Sequence, residues 1–256
     1  MISNQILQTT IDGLKNITRI DISVMDTEGK VLASTVENPE QYENIVLSFV
    51  ASPADSQSIQ GYQFFKVFEE HQLEYVIVAK GDSEDVFMVG KIPAFQIQNL
   101  LVAYKERYDK DNFIKNLLLD NLLLVDIYNR AKKLHIDSEA RRVVYIIETK
   151  NEKDANALET VRSLFSGKTK DFITAVDEKN IILVKEVKPN ETYEDLNKTA
   201  KIILDMLNTE AMTKVYVAYG TIVNEIKDVS RSYKEAKMAL DVGKIFYSGK
   251  NLMAYN

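Results

Sequence analysis

The sequence predicts a two-domain α+β protein: a helix-and-hairpin N-terminal half, a helical connector, and a C-terminal half in which strands and helices alternate. Three observations carry that prediction. Period-2 apolar runs broken by turn residues occur twice before residue 82 and again after residue 140. Between them lies a long stretch of helical periodicity, and 256 residues exceed the usual size of one small domain.

The first element is a helix over residues 2–14, with Ile6, Leu7, Ile11 and Leu14 on one side and Gly13 with Asn16 as its stop signal. A hairpin follows, alternating around Ile20, Ile22 and Val24, turning over residues 26–30 and resuming at Val31. Residues 39–50 open with Pro39 at a first helical position and bring Tyr42, Ile45, Val46 and Phe49 to one side. The polar stretch "ASPADSQSIQG" separates this helix from two strand-like runs, 62–68 and 73–79. A long polar loop in that position is expected to act as a mobile lid.

Residues 83–108 return to helical spacing, with Pro93 either kinking the helix or marking its true start. Six leucines then crowd between Leu117 and Leu124, but Lys115, Asp120, Asp126 and Arg130 interrupt the run, so it is not a membrane span. A helix apolar on most sides must be covered. Asp120-Asn121 tolerates left-handed backbone and is the expected break point. After Arg141 come a strand ("RRVVYIIET"), a helix ("DANALETVRSLF"), a hairpin turning over 177–180, a helix, the strand "KVYVAYG" and a final helix, making a mixed sheet. The resulting domains are 1–82, a connector 83–135, and 136–256.

With 32 Lys+Arg against 38 Asp+Glu, the net charge of -6 provides no global field for nucleic acid or anionic lipid. The absence of cysteine excludes disulfides and thiolate metal sites, and two distant histidines argue against a His-based metal or triad centre. No cofactor and no metal site is expected. The first residues lack a signal-peptide pattern, so the expected location is cytoplasmic.

The C-terminal half resembles the GGDEF-like domain of the sugar-diacid and purine-catabolism regulators, the CdaR and PucR families of bacterial transcription factors. The residues that carry the likeness are "AKKLHID" followed by "RRVVYIIE", then "VYVAYG" and "SYKEAKMALDVGKIF". The N-terminal half, with "DISVMDTEGKVLAST" and "QNLLVAYKERYDKDNF", looks like a PAS or GAF sensory module. The resemblance implies a ligand-sensing, dimerising part of a regulator that reaches DNA only through a helix-turn-helix domain beyond "SGKNLMAYN", where the linker to it should begin. It also implies that a cyclase's two acids fall at Lys179 and Asn180 and its turn glycines at Asp177 and Glu178, which is too bulky for nucleotide. Glu148 is left as one surviving carboxylate, and one carboxylate does not build a two-metal phosphoryl-transfer site.

No enzymatic activity is therefore expected. A cyclase-like or nucleotide-binding enzyme and a ligand-free scaffold remain the alternatives. For a small-molecule effector, the candidates are Arg19, Ser34, Thr35, Tyr42, Tyr62 and Lys66, polar groups among apolar walls, with the two cations suiting a carboxylate or phosphate. Arg19 is the favoured anion contact. For a homodimer interface they are Leu101, Tyr104, Leu117, Leu118 and Leu124. The ligand is expected between the N-terminal sheet and the helix over 39–50.

Overall fold

The computed structural model describes residues 2–81, 84–149, 155–165, 170–211, 215–246 and 249–255. It is a mixed α+β structure whose chain divides into two compact units, Met1–Arg107 and Tyr108–Asn256. The division falls within residues 83–135, the expected connector. Ser83 and Asp154, expected at helix starts, lie outside the described residues.

In the first unit, α1 (Asn4–Thr18) starts where the Ser3 hydroxyl accepts the Ile6 N–H, and it buries Leu7 and Ile11. It runs through Gly13, where an added Cβ would meet nothing, and ends at Arg19 in left-handed backbone with φ 63°. Five antiparallel strands follow: β1 (Ile22–Met25), β2 (Val31–Ser34), β3 (Ser56–Ile59), β4 (Tyr62–Glu69) and β5 (Gln72–Lys80), in the order β2-β1-β5-β4-β3. A 3-10 turn (Pro39–Tyr42) leads into α2 (Glu43–Ala51).

The expected lid does not exist as a loop, because β3 pairs Ser56 with Phe65 through Ile59 with Tyr62 and becomes an edge of the sheet. Alternation gives that sheet two covered faces. One carries Ile22, Val24, Phe65, Val67, Tyr75 and Ile77 against α1 and the long helix α3 (Glu84–Leu118); the other carries Met25, Phe64, Val76 and Val78 against Tyr42, Val46 and Phe49.

Helix α3 is continuous through Pro93. Its core side is Gly90, Pro93, Ile97 and Leu101, and at Gly90 a Cβ would come within 2.6 Å of the Phe65 ring, so the glycine sets how closely helix and sheet approach. Among the described residues it is the one helix long and apolar enough by composition to cross a membrane. Gln98 replaces a missing strand neighbour at the β4 bulge, accepting the Phe68 N–H at 3.1 Å and donating to the Phe68 carbonyl.

In the second unit the end of α3 buries Phe113, Ile114, Leu117 and Leu118. The helix stops at the sequence-predicted pair: Asp120 takes φ 61°, with the Asn121 N–H returning to Asn116 at 2.9 Å. Helix α4 (Leu124–Lys133) follows. The strands are β6 (Arg142–Thr149), β7 (Phe172–Ala175), β8 (Asn180–Glu186), β9 (Val215–Tyr219) and β10 (Leu252–Ala254), in the order β10-β9-β6-β8-β7. The helices are α5 (Ala155–Leu164), α6 (Tyr193–Ala211) and α7 (Val229–Phe246).

One face of this sheet packs on α7, α4 and the end of α3, and the other on α5 and α6. The tail read as an interdomain linker is β10, which pairs in parallel with β9 and puts Met253 in the core. The motif "VYVAYG" has a packing reason: at Gly220 a Cβ would sit 2.0 Å from the Ser232 carbonyl oxygen, so β9 and α7 touch backbone to backbone there. Buried Ser232 completes the joint by accepting the Val144 N–H at 3.1 Å and donating to the Thr221 carbonyl at 2.8 Å.

Candidate functional site

Two places in the chain invite a chemical reading, one in each unit. In the first, strand register puts Ser23 opposite Ser34, and their hydroxyls lie 2.9 Å apart on the face that α2 covers. Ser23 is 1% exposed, an unusual place for a hydroxyl. On the same side, Tyr42 packs its ring 4.6 Å from that of Tyr62 and accepts from the Gln41 amide at 2.8 Å. Burial, then the hydrogen bond with Tyr62, pushes the Tyr42 phenol up to about 12, so it stays a neutral hydroxyl able to donate.

Of the six candidates, Ser34, Tyr42 and Tyr62 therefore belong to this hydroxyl-bearing face. Thr35 does not: it is opposite Ile22 on the α1 side, where its hydroxyl accepts the Ile22 N–H at 2.9 Å and donates to Asp21 at 3.1 Å. Lys15 is the larger influence on Asp21; its ammonium, 2.6 Å away, holds that carboxyl below the usual range.

Of the two cations only Arg19 is placed elsewhere; Lys66 alternates with Phe64 onto the α2-covered face, but its ammonium is committed to α2. Arg19 is exposed at the left-handed cap of α1, and Lys66 closes α2 by donating to the Val50 and Ser52 carbonyls at 3.2 and 2.5 Å, its ammonium 5.1 Å from the Phe49 ring centre. Sequence reasoning missed Ser23 and Gln41. The available signal was a serine at an inward position of an otherwise apolar strand, two residues from Met25.

The second place is the end of β6 beside the 177–180 turn. Glu148 is chelated by Lys244 of α7, with Nζ 2.6 and 2.9 Å from its two oxygens and 5.7 Å from the Tyr216 ring centre. The turn is closed by Asp177, which accepts the Lys179 and Asn180 N–H groups at 2.9 and 2.8 Å and the Asn180 amide at 2.8 Å. Burial alone would raise the Asp177 carboxyl, but these donors outweigh it and hold it low. The turn contains no residue with positive φ, so its backbone has no use for glycine. Among the described residues no group of three or more metal-ligating side chains converges.

The dimer candidates divide as well. Leu101, Leu117 and Leu118 are buried in the cores of their own units and offer no free surface, Tyr104 is half-buried against the first core, and Leu124 is exposed. The leucine run is thus consumed mostly by the second unit, because a helix ending under a sheet presents its last two turns to it.

Residues 121–242 match the family description "GGDEF-like domain". No curated protein matches the sequence. Among solved structures, the chain is similar to PelD 156-455 from Pseudomonas aeruginosa PA14 in complex with c-di-GMP, at 12% identity and TM-score 0.31, covering 84% of this chain and 82% of that one. PelD 158-CT from Pseudomonas aeruginosa PAO1, also in complex with c-di-GMP, gives 12% identity, TM-score 0.29 and coverages of 97% and 90%. Both scores lie below the level of a shared whole-chain superposition. What the chain carries over residues 121–242 is a GGDEF-like domain.

Proposed function

We propose that this chain is the effector-sensing and dimerising part of a bacterial transcriptional regulator, without catalytic activity of its own. The observation that supports it most is the cluster of inward hydroxyls, Ser23, Ser34, Tyr42 and Tyr62, under α2. A core that needs only stability has little use for four hydroxyls on one face, whereas a small-molecule site needs a few directed polar groups among apolar walls. The effector it fits is a small metabolite presenting acceptor oxygens, carboxylate or phosphate among them, to neutral hydroxyl donors.

The GGDEF-like domain supports the reading from the other side. Its one candidate carboxylate is already neutralised by Lys244, and its turn is held by Asp177 rather than opened by glycines. A regulator of this kind works by population shift: the effector binds one arrangement of the sensing unit better than another, and the difference is read by a partner copy and a DNA-binding domain.

The test is thermal shift of the full chain against dicarboxylates, purines and cyclic di-GMP, followed by calorimetry on any hit. Tyr42→Phe and Ser23→Ala should each weaken a hit about tenfold, the effect of one lost directed hydrogen bond. A hit indifferent to both substitutions but lost in Lys244→Met would move sensing to the GGDEF-like domain and overturn the assignment.

A further inference from the structure

Helix α3 has two apolar faces and spends only one of them inside its unit. Gly90, Pro93, Ile97 and Leu101 face the sheet. Met88, Ile92, Phe95 and Val102 are about 160° around the axis from these, by the 3.6-residue turn, and are between 49% and 68% exposed. With exposed Asn99 they follow the alternating four- and three-residue spacing of a coiled-coil seam: 88, 92, 95, 99, 102.

We propose that this stripe is where a second copy of the chain docks, parallel and in register, α3 against α3. This deepens the sensing reading, which needs two copies but names no surface for them. Asn99 decides between possible occupants. A side-chain amide carries both donors and acceptors, so on a two-fold axis Asn99 of one copy pairs with Asn99 of the other, while against lipid or an unrelated apolar groove it would be left unpaired.

One polar residue within a short seam, with β-branched Ile92 at the equivalent position one heptad earlier, is the pattern that fixes parallel two-stranded register. A lipid-facing helix would instead need a basic flank. Here Lys91 is the exposed cation beside the stripe, opposed by Asp85 and Glu106. At the next seam position, Glu106 would meet its own copy, so the apolar seam ends there.

The area is that of a small interface. Four side chains half to two-thirds exposed offer roughly 400–500 Å² per copy, taking typical large side chains at about 150–250 Å². With their polar flanks the pair approaches the roughly 1,200 Å² at which specific interfaces begin.

The chain has no cysteine, so a single one reports position cleanly. Under mild oxidation the full chain carrying Asn99→Cys should form a disulfide-linked dimer within minutes, while Leu124→Cys should not. Sedimentation of the unaltered chain should show a dimer, and Phe95→Glu should raise its dissociation constant at least 100-fold with unchanged far-UV circular dichroism. A monomeric unaltered chain, equal cross-linking at both cysteines, or a Phe95→Glu chain that dimerises normally would overturn the proposal. So would flotation of a monomeric chain with anionic vesicles that Phe95→Glu abolishes, which would assign the stripe to lipid. If Phe95→Glu is monomeric yet keeps any effector-induced thermal shift, seam and sensing are separable. An unaltered chain that dimerises through the seam but shows no thermal shift with dicarboxylates, purines or cyclic di-GMP would count against the sensing reading and leave the seam intact.

Discussion

The two sheets have five strands each, but they dispose of their polar groups in opposite ways. In the first unit, hydroxyls of Ser23, Tyr42 and Tyr62 gather on a face that a helix already covers. In the second, the carboxylates at the end of β6 and in the 177–180 turn are consumed internally: Glu148 by Lys244, and Asp177 by the backbone of its own turn. The difference teaches that a domain's resemblance to an enzyme says less about chemistry than whether its polar groups are free to change partners. Inward hydroxyls can exchange one neutral partner for another at small cost. A carboxylate held by both oxygens has to lose an ion pair first.

The sharpest way to break this contrast begins in the second unit's core. Leu118 is fully buried among Phe113, Ile114 and Ile127, so Leu118→Glu should cost several kcal/mol by burying an unpaired carboxylate. Urea denaturation should show loss of cooperative folding rather than a folded monomer. Leu124→Glu, at an exposed position six residues away, should change stability by less than about 0.5 kcal/mol.

That pair of leucines also shows what was legible in the sequence. Apolar periodicity located the long helix and most of the strands, and Asp120-Asn121 marked the helix break, because these are local properties of the chain. Which leucine is covered is not local. It depends on what the helix end meets. For the same reason β3 and β10 were missed: "SQSI" and "LMA" are short, and each is a strand only because β4 or β9 offers an edge. The place of Arg19 at the end of α1 was not legible, because a cation just before a strand looks the same whether it faces a ligand or ends a helix in left-handed backbone. The Tyr42 and Tyr62 pairing was likewise invisible, although both residues were candidates.

A second test strikes the joint between β9 and α7. Gly220→Ala places a methyl 2.0 Å from the Ser232 carbonyl oxygen, a backbone atom that cannot swing aside. The expected cost is about 3 kcal/mol, the upper part of the usual overpacking range. It should appear as a lower melting temperature, together with lost exchange protection of the Val144 amide that Ser232 holds. If Gly220→Ala is neutral, the VYVAYG motif has no packing reason.

The turn at 177–180 gives a smaller, pH-dependent effect. Asp177→Ala removes three accepted hydrogen bonds at a partly exposed turn and should cost about 1 kcal/mol. Because the folded carboxyl is held below its ordinary value, its contribution is fully present above the ordinary aspartate range and is lost as pH falls through the folded value. Urea midpoints of the two proteins should therefore differ at pH 7 and converge toward pH 2. A difference that persists in acid would mean the turn is held by packing instead.

Only a small effect is expected where the enzymatic alternative would predict a large one. Glu148 and Lys244 are partly exposed, at 20% and 38% of their side-chain areas, so the ion pair is screened and Lys244→Met should change stability by no more than about 1 kcal/mol. In a cyclase, freeing the carboxylate at the end of β6 would return a metal ligand. The resemblance puts Lys179 and Asn180 at the acid positions of the turn, and Asn180 is already bound to Asp177, so the freed Glu148 would have no second carboxylate at those positions with which to hold magnesium. Incubated with GTP and magnesium or manganese, both the unaltered chain and Lys244→Met should yield no cyclic dinucleotide. Product from Lys244→Met alone would show that the lysine silences a competent site. Product from the unaltered chain would show that the contrast between the two sheets was drawn in the wrong place.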